Sequence, residues 1–91
     1  MKIKDGYLLR TIADTNIVVP VSERVIEFKG MITLNDVSAD IWRFLETDRE
    51  YDEVIDYMIS EYNIDRDTAS KDLKALLKHM EDSGVLCNAV N

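Results

Sequence analysis

At 91 residues the chain has room for one domain built around a single modest core. A formal charge of −7 argues against a nucleic-acid role, because phosphate binding needs a concentrated basic face. No apolar run approaches the roughly eighteen residues of a membrane span, the opening Met1-Lys2-Ile3-Lys4-Asp5-Gly6 lacks a signal-peptide stretch, and the single cysteine, Cys87, has no internal disulfide partner. A reducing compartment is expected, the cytoplasm by default.

The first third reads as β-structure. Tyr7–Ile12 and residues 16–21 are short runs of β-branched and aromatic side chains, and Ala13-Asp14-Thr15 between them supplies turn residues for a hairpin. Pro20 has no amide hydrogen to donate, which predicts a strand end or a sheet edge. A second pair of runs, 25–28 and 31–34, flanks Lys29-Gly30, where Gly30 can take the positive φ of a tight turn. Three or four antiparallel strands are expected.

Three amphipathic helices follow. Asn35 suits an N-cap and Asp36 complements the helix dipole, while Val37, Ile41, Phe44 and Leu45 share one side. Trp42 falls near the edge of that stripe and is expected in the core or at its rim. Tyr51, Val54, Ile55, Met58 and Tyr62 give the second helix its stripe, widened by Ile59, with Asp48 the nearest capping candidate. After a tight turn near Asn63, Asp65 caps a third helix with Ala69, Leu73, Leu76, Leu77 and Met80 on one face. Gly84 is placed as the left-handed residue past its end, and Val85 can fold back on the last turn. The sum is an α+β, winged helix-turn-helix-like domain over residues 1–91: N-terminal antiparallel strands, then three helices.

Little in the chain can do chemistry. His79 is the sole histidine and reads as a surface or partly buried helix residue, since no orienting partner accompanies it. Cys87 reads as an idle thiol. One Cys and one His cannot close a metal site, and Asp48, Glu50, Asp52, Glu53 and Asp56 lack the spacing and glycine of a calcium loop. They read as the solvated start of the second helix. Lys71, Lys74 and Lys78 line one flank of the third helix. Pairs with Asp67 and Asp82 at four-residue spacing explain much of that stripe as surface stabilisation, and the functional alternative is steering of an acidic peptide. An acyl-carrier reading fails, because Asp82-Ser83-Gly84 ends a helix instead of opening one. No metal, no cofactor and no catalytic residue is expected.

From Gly6 to Leu86 the chain resembles the PqqD family. The resemblance rests on Leu34-Asn35, Ser38-Ala39, Ile41-Trp42 and Leu45, then Val54 and Ile55, Glu61-Tyr62-Asn63-Ile64-Asp65, Asp72-Leu73, Leu76-Leu77 and Ser83-Gly84-Val85-Leu86. Each motif is short; their order and spacing together are what is specific. Val37 and Ser38 stand where the family more often has threonine and glycine, and Glu50 where a Thr or Ser cap is usual. Those departures touch helix starts more than the expected groove.

The resemblance implies a peptide chaperone that is not itself an enzyme. Such domains hold the leader of a ribosomally made precursor peptide and present its core to a modifying enzyme, often a radical S-adenosylmethionine enzyme; in the founding pathway the product is pyrroloquinoline quinone. The leader adds as a strand beside Met31, Ile32, Thr33 and Leu34, in a groove shared with Ala69, Asp72, Leu73 and Leu76. Neither nucleic acid nor membrane is expected as a partner, and the protein is expected as a monomer or a strand-exchanged dimer. Two points stay open: whether the Lys71/Lys74/Lys78 or the Asp72/His79 flank borders the groove, and the competing reading as a winged-helix transcriptional regulator.

Overall fold

The computed structural model describes residues 1–21 and 32–87. In chain order they form β1 (Lys2–Ile3), β2 (Tyr7–Ile12), β3 (Thr15–Pro20), β4 (Ile32–Leu34), α1 (Asp36–Phe44), α2 (Tyr51–Tyr62), α3 (Arg66–Asp82) and β5 (Leu86–Cys87). The architecture is α+β, with antiparallel strands leading into three helices. The expected run at 25–28, the Lys29-Gly30 turn and Met31 lie outside the described residues.

The hairpin forms as expected but with a tighter turn. Ile12 pairs with Thr15, so Thr15 belongs to β3 and only Ala13 and Asp14 remain between the strands. Both take positive φ, 49° and 66°, as a two-residue hairpin turn whose twist matches the strands requires. β4 adds antiparallel to β3, giving the order β2-β3-β4.

A second, two-stranded sheet was not expected from the sequence. β1 pairs with β5, Lys2 opposite Cys87 and Ile3 opposite Leu86. Ile3 N–H also donates to the Leu45 carbonyl and Lys4 N–H to the Val85 carbonyl, both at 2.9 Å. These bonds join the first residues to the ends of α1 and α3. Over the described residues neither strand has enough pattern of its own to be read locally; the pairing defines them.

The helix caps are mostly local and mostly as expected. The Asn35 side chain accepts from Ser38 N–H at 2.8 Å, and Asp65 accepts from Thr68 N–H at 2.7 Å. That bond holds the Asp65 carboxyl below the usual carboxylate range. Gly84 has φ +78°, and Gly84 N–H and Val85 N–H donate to the Glu81 and Met80 carbonyls, a complete Schellman closure. The start of α2 differs. Glu50 is its N-cap, with Glu53 reaching back to accept the Glu50 N–H at 2.8 Å. Asp48 instead meets the Met1 ammonium at 2.9 Å, a contact between residues far apart in sequence.

One core joins the sheet to the helices. Trp42, Leu45, Val54, Met58, Ala69, Leu73 and Val85 are all 0% exposed. Burying each large apolar side chain contributes roughly 1.5–3 kcal/mol, so the helical stripes are what holds α1, α2 and α3 together. Trp42 is therefore core and not rim.

Candidate functional site

The phase of the β2–β3–β4 ladder decides what β4 offers at its edge. Ile12 and Thr15 close the two-residue turn, so their main-chain groups face each other. Main-chain direction alternates along a strand, so Thr15, Ile17 and Val19 address β2 while Asn16 and Val18 address β4. The Val21 N–H, which donates to the Gly6 carbonyl at 2.9 Å, keeps the same phase. Pro20 stands where no donor toward β2 is needed. Asn16 is opposite Leu34 and Val18 opposite Ile32, so those pairs exchange the ladder bonds. Thr33, opposite Ile17, turns its N–H and C=O away from β3. Among the described residues no strand pairs with that side of β4.

Beside this edge runs a groove of about 500 Å³. Thr33 and Leu34 of β4, Asn35, Val37, Ser38 and Ile41 at the start of α1, Met58 of α2, and Asp72, Ala75, Leu76 and His79 of α3 line it. Its deeper surface is apolar: Ile41 and Met58 are buried, and Leu34 and Leu76 nearly so. Val37 is 40% exposed, a large apolar side chain left open at the mouth. The polar groups Thr33, Asn35, Ser38, Asp72 and His79 are spread around these.

Of the residues singled out in the sequence, the groove gathers Thr33, Leu34, Asp72 and Leu76. Ile32, Ala69 and Leu73 are buried and do not line it. The reason is helical phase: Ala69 and Leu73 point at the centre of the apolar stripe, whereas the groove borders the stripe's edge, where Asp72, Ala75, Leu76 and His79 lie. The Asp72/His79 flank therefore faces it. Lys71, Lys74 and Lys78 are exposed and outside its lining. Lys71 and Lys78 neighbour Ala75 at four- and three-residue spacing, which sets the stripe along the outer lip. Lys78 pairs with Asp82 at 3.4 Å, a surface pair screened by solvent; the expected Asp67–Lys71 pair does not form among the described residues.

Asn35, Val37, Ser38, Ile41, Met58 and Ala75 were not assigned to the groove from sequence, and His79 was left open with its flank. Their helical spacing placed them on faces but not against one another. Asn16 was missed as well. It is the one polar residue among the described core, 6% exposed. A carboxamide inside a β-branched run was the available signal, since asparagine is depleted in strands.

A polar cluster outside the groove lining ties α1 to α2. The Asp40 carboxylate accepts from Tyr57 Oη at 2.8 Å and also from Tyr62 Oη. The Tyr57 phenol is pushed up to about 12, first by this hydrogen bond, then by burial and by the Asp40 charge. Tyr62 is raised too, chiefly by burial and then by its own bond to Asp40. Phe44 stacks on Tyr57 at 4.3 Å, and the Arg49 guanidinium lies 4.1 Å over Phe44. Tyr51 and Ser70 join α2 to α3 through hydroxyls 2.8 Å apart. Among the described residues no group of three His, Cys, Asp or Glu is placed to hold a metal ion, and no helix is long and apolar enough to cross a membrane.

A family model described as coenzyme PQQ synthesis protein D (PqqD) matches residues 17–86. A solved structure, TbiB1 in complex with the TbiA(beta) leader peptide, is similar over 100% of both chains, with 25% identity and a TM-score of 0.76. No curated protein matches the chain.

Proposed function

The chain belongs to the PqqD family, and from that premise we propose that it binds the leader of a ribosomally made precursor peptide along the edge of β4. The observation that carries this reading is the outward N–H and C=O of Thr33 beside an apolar groove. TbiB1, similar over its full length, is a protein solved with a leader peptide. The protein presents the bound peptide to a modifying enzyme, a radical S-adenosylmethionine enzyme in the family's usual arrangement, and performs no chemistry itself.

The outward edge of Thr33 supports strand addition. An extended peptide exchanges main-chain hydrogen bonds with Thr33, and this pairing is blind to sequence. The peptide residues on either side of the one opposite Thr33 then turn their side chains to the face shared by Ile32 and Leu34. Two apolar side chains, two residues apart, thus enter the groove over Ile41, Met58 and Leu76. Each contributes roughly 1.5–3 kcal/mol, and each main-chain bond about 0.5–1.5 kcal/mol. Ordering a disordered leader costs roughly 2–5 kcal/mol of the gross gain. The net from these contacts is a few kcal/mol, so low-micromolar binding draws on further leader residues beyond this pair, and the complex stays loose enough to pass the peptide on.

The test is fluorescence anisotropy with labelled leaders of the precursor peptides encoded near this gene. Binding at low-micromolar concentration that is lost in Thr33→Pro supports the reading. Failure of every such leader to bind at about 100 μM, with the protein folded, would overturn it.

A further inference from the structure

Resting on the peptide-binding reading, we propose that Asn16, which does not line the groove, is the positioning residue that presents the β4 edge to the peptide. Its side chain is buried and every polar atom of it is used. Oδ1 accepts from Thr11 Oγ1 at 2.8 Å, while Nδ2 donates to the Leu34 carbonyl at 3.1 Å and to Asp36 Oδ1 at 3.0 Å. The Leu34 carbonyl and the Asp36 carboxylate can only accept, so they fix which way round the carboxamide sits, with both amide hydrogens at the junction of β4 and α1, and the Thr11 hydroxyl donates to the remaining oxygen.

That junction supplies the groove with Leu34, Asn35, Val37 and Ser38. Among the described residues β4 contributes three residues and pairs with one strand, β3, and the Asn16 side chain reinforces that ladder. The Asn16 side chain adds two bonds at the point where the chain turns from strand to helix. One holds the carbonyl that follows Thr33; the other holds Asp36, the first residue of α1. The pleat that turns Thr33 outward and the entry angle of Val37 are therefore set together from β3. Replacing the carboxamide with a carboxylate of the same shape would remove both donors. It would also set a negative charge against a carbonyl oxygen and the Asp36 carboxylate.

The probe is a peptide selected on the wild-type protein from a random dodecapeptide display library. Asn16→Asp should bind it at least about tenfold more weakly, and Asn16→Asp with Asp36→Asn, which keeps the net charge and restores the bond to residue 36 with its direction reversed but not the bond to the Leu34 carbonyl, should recover about threefold of that loss. Val85→Ala, at a buried position outside the groove lining, serves as a variant of reduced stability; it should lower Tm yet leave the dissociation constant within about twofold. A folded Asn16→Asp protein that binds within twofold of wild type overturns the proposal, as does a loss that Val85→Ala reproduces or that the double variant fails to relieve. Should Asn16→Asp not fold, Thr11→Val decides: leaving the buried carboxamide oxygen without its donor should loosen the side chain and weaken binding about threefold, and unchanged affinity overturns the idea. Thr33→Pro separates the two claims. If the selected peptide binds Thr33→Pro as well as wild type, or if no peptide is selected, the β4 reading itself fails and the role of Asn16 falls with it. If Thr33→Pro abolishes binding and Asn16→Asp does not, only the positioning role is wrong.

Discussion

Thr33 stands opposite Ile17 at a position of the β3–β4 ladder where neither residue addresses the other, while its neighbours Ile32 and Leu34 are bonded to Val18 and Asn16. Of the three described residues of β4, one thus serves the peptide side and two serve the sheet. Proline scanning should separate these roles sharply. Thr33→Pro removes an outward amide hydrogen, which an edge strand tolerates, so the fold should survive and leader affinity should drop more than about tenfold. Ile32→Pro strands a Val18 carbonyl and should cost roughly 1–3 kcal/mol of stability. Thr33→Ala, which keeps the amide, should change binding by less than about 1 kcal/mol. Circular dichroism and anisotropy on the three variants check this; normal binding by folded Thr33→Pro contradicts strand addition.

The β2–β3 turn holds two non-glycine residues at positive φ, Ala13 at 49° and Asp14 at 66°. Alanine has neither the freedom of glycine nor the local hydrogen bonding of asparagine there. Replacing the pair with Asn-Gly should stabilise the protein by roughly 1 kcal/mol and raise Tm by about 4–8 °C. Leader affinity should not change, because the turn lies outside the groove lining. Thermal denaturation followed by circular dichroism tests the gain.

The bond between Tyr57 and Asp40 makes an alkaline prediction. The folded phenol is raised from 10.0 to about 12, so the folded state holds its proton where the unfolded chain has released it. The associated stability is complete below about pH 10 and is lost as pH rises toward 12. Absorbance at about 295 nm should show late-ionising phenols, and Tyr57→Phe should remove one of them while Tyr62 remains. Denaturant midpoints measured across that range should fall less steeply in Tyr57→Phe than in the wild type.

Lys71, Lys74 and Lys78 lie along the outer lip and do not touch the groove. If they steer an acidic leader, the triple change to Gln should slow association about tenfold at low salt and flatten its salt dependence, with dissociation nearly unchanged. Stopped-flow association at two ionic strengths is the measurement. An unchanged association rate at low salt assigns the stripe to solvation alone.

Local signals were legible without the fold. Asn35, Asp65 and Gly84 act within one helical turn of themselves, so their capping roles follow from side-chain chemistry and spacing. The apolar stripes of the three helices follow from the 3.6-residue period, and so does burial of Leu73, Met58 and Ile41. Tertiary structure decided whatever depends on two segments meeting. Periodicity put Ala69 and Leu73 on the apolar face of α3 but could not say that the groove lies at that face's edge, beside Asp72 and His79. The β1–β5 pair joins residues at opposite ends of the described chain, and Asp48 was drawn from a capping role to the Met1 ammonium. Asn16 drew no notice in the sequence because its three partners come from β2, β4 and α1. A carboxamide's meaning lies in which groups it reaches, and only the folded chain brings those groups within 3.1 Å.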